Sequence, residues 1–245
     1  MEVHAHSHTE RKKWTHYLWE FLMLFLAVFC GFLAENQREH YIEHKRAKSL
    51  AASLVNDLQK DTMQLNMLQA WREKRKLLLD SFYLLLESPP GKMDRRIFYR
   101  FITQASGGLT FSQSTGTINQ LKNAGYLRYF NDNKLLNAIA DYEFWVQDFK
   151  SDEAIDYKWV TEKLGDLAAF NLDNSINEKI MVENIYPEGI GIQFYTPDGL
   201  HNLKAIINEL RMGNYVMLKD QIPHLKRKVE GLMKYLHDEY GAQKY

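Results

Sequence analysis

The chain has 245 residues, 45% of them hydrophobic and 13% aromatic, which is enough to bury a core and too much for global disorder. Thirty-one basic residues balance thirty-one acidic ones. That neutrality argues against a nucleic-acid partner, because displacing counterions from phosphates needs a basic excess. The single cysteine, Cys30, leaves no intramolecular disulfide, so packing alone has to hold the fold.

Residues 1–16 read as a short polar tail. His4, His6 and His8 alternate within it, a strip that binds a transition metal only weakly without acidic or thiol ligands at site-like spacing. Arg11, Lys12 and Lys13 close the tail. Residues 17–34 then form a nearly uninterrupted apolar run, broken only by Glu20, which spans about 25 Å as a helix. With Trp14 and Tyr17 at its entrance, where amphipathic rings favour the interface, the run reads as a transmembrane anchor. Cleavage after Ala34 would put Phe32 where a signal peptide needs a small residue, so an uncleaved anchor is expected.

The basic cluster directly before the run predicts a cytoplasmic N-terminus and a domain on the far side, periplasmic in a bacterial inner membrane. Ala27, Gly31 and Ala34 put small residues on adjoining faces of the anchor, permitting close helix–helix approach. Glu20 lies one turn inside the aromatic belt, within reach of the headgroups.

Residues 35–245 read as one soluble helical domain. From about Gln37 to Glu87 a long helix continues out of the membrane, with Leu50, Leu54, Leu58, Leu65, Leu68, Leu79, Phe82 and Leu86 in steps of three and four. His40 and His44 lie one turn apart on it beside Glu39 and Glu43; they are the only weak metal candidates, and a solvated helix face explains them as well. Ser88-Pro89-Pro90-Gly91 stops the helix. A second helix over 94–104 is predicted from Ile97, Phe98, Phe101 and Ile102, ended by Gly107-Gly108. A short third is capped by Ser114 or Thr115 and closed by Gly125 in the left-handed conformation.

Asn131-Asp-Asn133 caps another long helix whose seam is Leu135, Ile139, Tyr142, Val146 and Phe149. The aromatic residues Phe144, Trp145, Tyr157 and Trp159 read as further core, and Asp148, Asp152 and Asp156 as exposed acid. Helical periodicity lapses between Val182 and Pro197, where Ile192–Tyr195 predicts a short strand or an irregular loop near 185–197. A final pair of helices, about 200–212 and 215–240, follows; Pro223 near the start of the last either kinks it or sits in its first turn, and that helix carries the seam Ile222, Leu225, Val229, Leu232 and Leu236. The expected fold is all-α: one transmembrane helix followed by an elongated bundle.

Two blocks carry a resemblance. Glu20-Phe-Leu…Gly31-Phe-Leu-Ala-Glu-Asn-Gln37 runs into Leu50-Ala-Ala-Ser-Leu-Val-Asn-Asp-Leu-Gln-Lys-Asp61. Ser114-Thr115…Leu121-Lys-Asn-Ala-Gly-Tyr-Leu-Arg128 is followed by Leu135-Leu-Asn-Ala-Ile-Ala-Asp-Tyr142. Together they resemble an uncharacterised family of short bacterial single-pass membrane proteins, a domain of unknown function. The chain departs from that pattern in its histidine-bearing tail and in the Val182–Gly199 insert. The resemblance implies location and fold, not an activity.

No phosphate-binding loop, nucleophile elbow, HExxH or paired CxxC is present. The sequence therefore predicts no enzyme, no cofactor and no resident metal. It predicts a membrane-anchored interaction, accessory or scaffold module of the bacterial envelope whose partners are the lipid bilayer and a protein, either another chain or a second copy. The alternatives are an envelope enzyme with an unrecognised pocket of convergent acidic or histidine side chains, and a small subunit of a transport or signalling complex.

Overall fold

The computed structural model describes residues 14–87, 95–105, 107–130, 132–171, 179–183, 185 and 197–241. The tail histidines, the Arg11–Lys13 cluster, the Ser88–Gly91 breaker and the Ile192–Tyr195 segment lie outside them. All regular structure among the described residues is helical: α1 (Trp14–Leu86), α2 (Arg95–Ala105), α3 (Gly116–Asn123), α4 (Asn133–Asn171), α5 (Pro197–Val216) and α6 (Ile222–Tyr240). A 3₁₀ turn, Tyr126–Tyr129, leads towards α4, and π-helical segments cover Lys179–Glu183 and Met217–Gln221.

Helix α1 has 73 residues without a break, about 110 Å of rod. Residues 14–41 are exposed, and Ala47 is the first buried position. The apolar run thus projects beyond the bundle, separated from it by a polar stalk of roughly 20 Å that carries an Arg38–Glu35 ion pair. Among the described residues α1 is the one helix long and apolar enough to cross a membrane, and none of its most apolar window is buried.

From Ala47 onward α1 is a core helix, and every apolar position in its predicted seam is buried. The chain goes up along α1, returns down through α2 and α3, climbs α4 and descends α5 and α6. This path follows from two separate hydrophobic clusters. The cluster nearer the apolar run joins Leu54 and Leu58 of α1 to Ile118 and Leu121 of α3, Tyr142 of α4 and Leu225 of α6. The distal cluster joins Phe82 of α1 to Phe98 and Phe101 of α2, Leu164 of α4 and Ile207 of α5. Phe82 and Phe101 stack at 3.8 Å between ring centroids.

Two expectations fail here. The expected gap between 212 and 215 is absent: α5 runs through it into a π-helical turn, Met217–Gln221, and on into α6, making one rod from 197 to 240. Pro223 is accommodated because it sits in the first turn of α6, beyond the π turn. The aromatic stripe of α4 also divides. Tyr142 and Phe149 are core, but Phe144, Tyr157 and Trp159 are exposed, because an isolated seam on one face cannot bury residues on the other.

Candidate functional site

Between α2 and α3 the descending strand of the bundle is not helical. Residues 107–115 have no regular secondary structure, and their amides reach side chains of α1 and α4. A non-helical segment there leaves backbone N–H groups without helical acceptors, and side chains supply them. Both Glu153 carboxylate oxygens accept from the Phe111 N–H at 3.1 Å. Gln64 Oε1 accepts from Ser112 N–H at 3.0 Å, and Asp61 Oδ1 from Ser114 N–H at 2.7 Å. Asp57 Oδ2 takes both the Thr117 amide (2.9 Å) and its hydroxyl (2.7 Å). Asp57, Asp61 and Gln64 share one face of α1, so a helix written for core packing carries a row of acceptors. Asp57, not Thr115, caps α3: Thr115 makes no side-chain cap hydrogen bond.

The two blocks that carry the family resemblance meet at this point. Asp61 Oδ2 accepts the Tyr142 hydroxyl at 2.5 Å, bringing Asp61, Ser114 and Tyr142 together. Burial raises the Asp61 carboxyl above its ordinary value, with Tyr142 and Ser114 offsetting part of that cost. Burial, reinforced by Asp61, also raises Tyr142. Burial would raise Asp57 too, yet the Thr117 hydroxyl and amide and Lys60 together hold it below the usual carboxylate range. Asp61 is wholly buried, so the triplet fixes the chain path rather than meeting a substrate.

A charged layer separates the two hydrophobic clusters. Arg72 Nη1 lies 2.6 Å and Arg75 Nη1 3.4 Å from Asp156 Oδ2, all three side chains being less than a tenth exposed. Burial lowers Arg75 to about 10, so it stays protonated at neutral pH. Glu153 closes the layer, raised by burial and only partly lowered by Phe111 N–H and Arg72. The expectation that Asp156 is exposed acid is therefore wrong: the turn of α4 that carries it faces two arginines of α1. Gly213 has its explanation here, since a Cβ on it would sit 2.9 Å from Asp156 Oδ1. The glycine is needed for close approach, not for a helix break.

On the outer side of this layer α4 and α5 diverge and leave a groove of about 440 Å³. Its walls are Ile155 and Trp159 of α4 against Met212 and Val216 of α5, floored by Met217 of the π turn. Asp152, Asp156 and Glu209 are the carboxylates on its lining, and no Lys, Arg or His lines it. Burial, then the neighbouring charges of Asp148 and Asp220, raises Asp152. The groove holds no nucleophile–base pair among its lining residues. Its lining is apolar, with carboxylates and no cationic side chain.

The residues singled out from sequence lie elsewhere. Ala27, Gly31 and Ala34 are on the exposed part of α1, and a Cβ on Gly31 would meet nothing within 4 Å. Glu20 pairs with His16 Nε2 at 3.1 Å, one turn towards the N-terminus. His40 and His44 are exposed on the stalk; His40 Nδ1 lies 3.9 Å from Glu43, and His44 is not drawn into that pair. Among the described residues no group of three or more His, Cys, Asp or Glu is gathered to hold a metal ion. The acceptor row and the groove were missed. The signal for the first was Asp57 and Asp61 one turn apart on a face otherwise spaced for the core; the groove has none, since α5 and α4 meet only in the folded chain. Compared with known proteins, the chain matches no family model, no curated protein and no solved structure.

Proposed function

We propose that the protein is a single-pass membrane-anchored interaction or accessory module of the bacterial envelope, with a cytoplasmic N-terminus and the bundle on the periplasmic side of the inner membrane. One observation carries this reading: the uncovered apolar run and the bundle's central core helix are one unbroken rod. Water does not solvate such a run, and the bundle does not bury it, so a bilayer or a partner's apolar surface has to. The Trp14–Trp19 aromatic cluster and the Glu20–His16 pair sit at one end, where the interface tolerates them. The other end passes into a polar stalk, consistent with a domain held clear of the membrane surface. The likeness to the uncharacterised single-pass family points the same way.

Two measurements test it. The full chain should stay in the membrane pellet through alkaline carbonate extraction, while deletion of 14–34 releases the bundle. A reporter active only in the periplasm, fused after Tyr245, should be active. Release of the full chain by carbonate would end the anchor reading, and activity solely from a cytoplasmic reporter would reverse the orientation.

A further inference from the structure

We infer that the α4–α5 groove is a binding site for a small lipophilic cation, an organic amine or onium ion with an apolar body. The inference stands independently of the anchor and of the bundle's orientation.

The groove exists because of the π turn. Below it, α6 packs along α4; above it, α5 keeps its close contact with α1 and touches α4 less. A π turn inserts one residue into the helical ladder and re-aims the segment beyond it, and such insertions are frequent at ligand sites. Here the consequence is an apolar cleft of about 440 Å³, within the roughly 300–1,000 Å³ typical of small-molecule pockets. Ile155, Trp159, Met212 and Val216 are substantially exposed along it, although the adjoining α4–α6 seam buries its apolar positions.

Charge selects the occupant. Asp152 and Glu209 face the cleft from opposite helices, and Asp148 and Asp220 stand behind Asp152. Among the described residues none of these four has a Lys or Arg partner within ion-pair distance, whereas Asp156 is already held by Arg72 and Arg75 from the far side. An apolar anion would meet the carboxylates of both walls. A cation with an apolar body would bury Met212 and Val216 and lie between the Glu209 carboxylate and that of Asp152, whose one side-chain hydrogen bond is from the neutral Gln221; Lys163 Nζ, 5.7 Å from the Trp159 ring centroid, shows that this ring accepts a cation and would have to give way to the ligand.

Tetraphenylphosphonium and its shape-matched anion tetraphenylborate provide the test. The full chain in lipid nanodiscs, titrated calorimetrically against empty nanodiscs, should bind tetraphenylphosphonium saturably at one per chain and should not bind tetraphenylborate. Asp152→Asn with Glu209→Gln should weaken binding at least tenfold. Met212→Trp, which fills the cleft without touching a charge, should abolish it, and both variants should melt with the wild type because these side chains are not core. No binding above the empty nanodiscs, equal binding of the anion, or affinity unchanged in both variants would each overturn the assignment.

Discussion

Asp57→Ala tests whether a side-chain acceptor on α1 anchors the N-terminus of α3. The substitution leaves the Thr117 amide and hydroxyl, now 2.9 and 2.7 Å from Asp57 Oδ2, without an acceptor in a buried position. Each orphaned donor costs about 1–3 kcal/mol, and the hydroxyl recovers part of that by rotating, so a loss of about 2–4 kcal/mol is expected. The Lys60 ion pair adds little, since that lysine is exposed. Against a total of about 5–15 kcal/mol the effect is large. For a domain of this size it corresponds to a fall in Tm of about 5–15 °C. Thermal circular dichroism of the full chain in nanodiscs reads it directly. Thr117→Val in the Asp57→Ala background should restore part of the loss by removing the hydroxyl donor. Because Asp57 is held below its ordinary value, its contribution is complete above about pH 4 and disappears as pH falls through the lower folded value. The gap between wild type and variant should therefore be constant from neutral pH down to that range and close beneath it. A variant melting within about 2 °C of wild type at pH 7 would refute the reasoning.

Asp156→Ala should cost about 3–5 kcal/mol in chemical denaturation by leaving Arg72 and Arg75 buried and unpaired, while Arg75→Met should cost far less because Asp156 keeps its 2.6 Å partner. Gly213→Ala should destabilise despite raising helix propensity, since its Cβ meets Asp156 Oδ1 at 2.9 Å; a higher Tm would show that α5 can shift away. Asp61 and Glu153 are raised, the opposite sign to Asp57, so they favour the folded state as pH falls through their raised values; Asp61→Asn should remove part of that gain in urea midpoints measured between pH 7 and 4. Leu225→Asp places a charge in the buried α6 seam and should lower the Tm by more than any of these, and equal melting would show that α6 does not close the core.

Periodicity alone determined the all-α class, the apolar run that begins α1, and the seams of α1, α4 and α6, because burying one stripe of a helix forces apolar residues into steps of three and four. Gly125 is read as readily: its φ of 64° is a conformation that side chains with a Cβ resist. What the sequence did not reveal depends on which helices become neighbours. Asp156 looks like solvated acid until α4 lies against Arg72 and Arg75, and nothing in the sequence marks Gly213 until α5 presses on that carboxylate. Asp57 and Asp61 look like surface charges on a core helix until the start of α3 and the non-helical segment at 107–115 need acceptors at their positions. The groove is the clearest case, since its walls come from residues almost sixty apart in the chain and its opening from a π turn with no distinctive composition. Local pattern specifies which face of a helix is buried; the contact between faces decides what a polar residue or a glycine on that face is for.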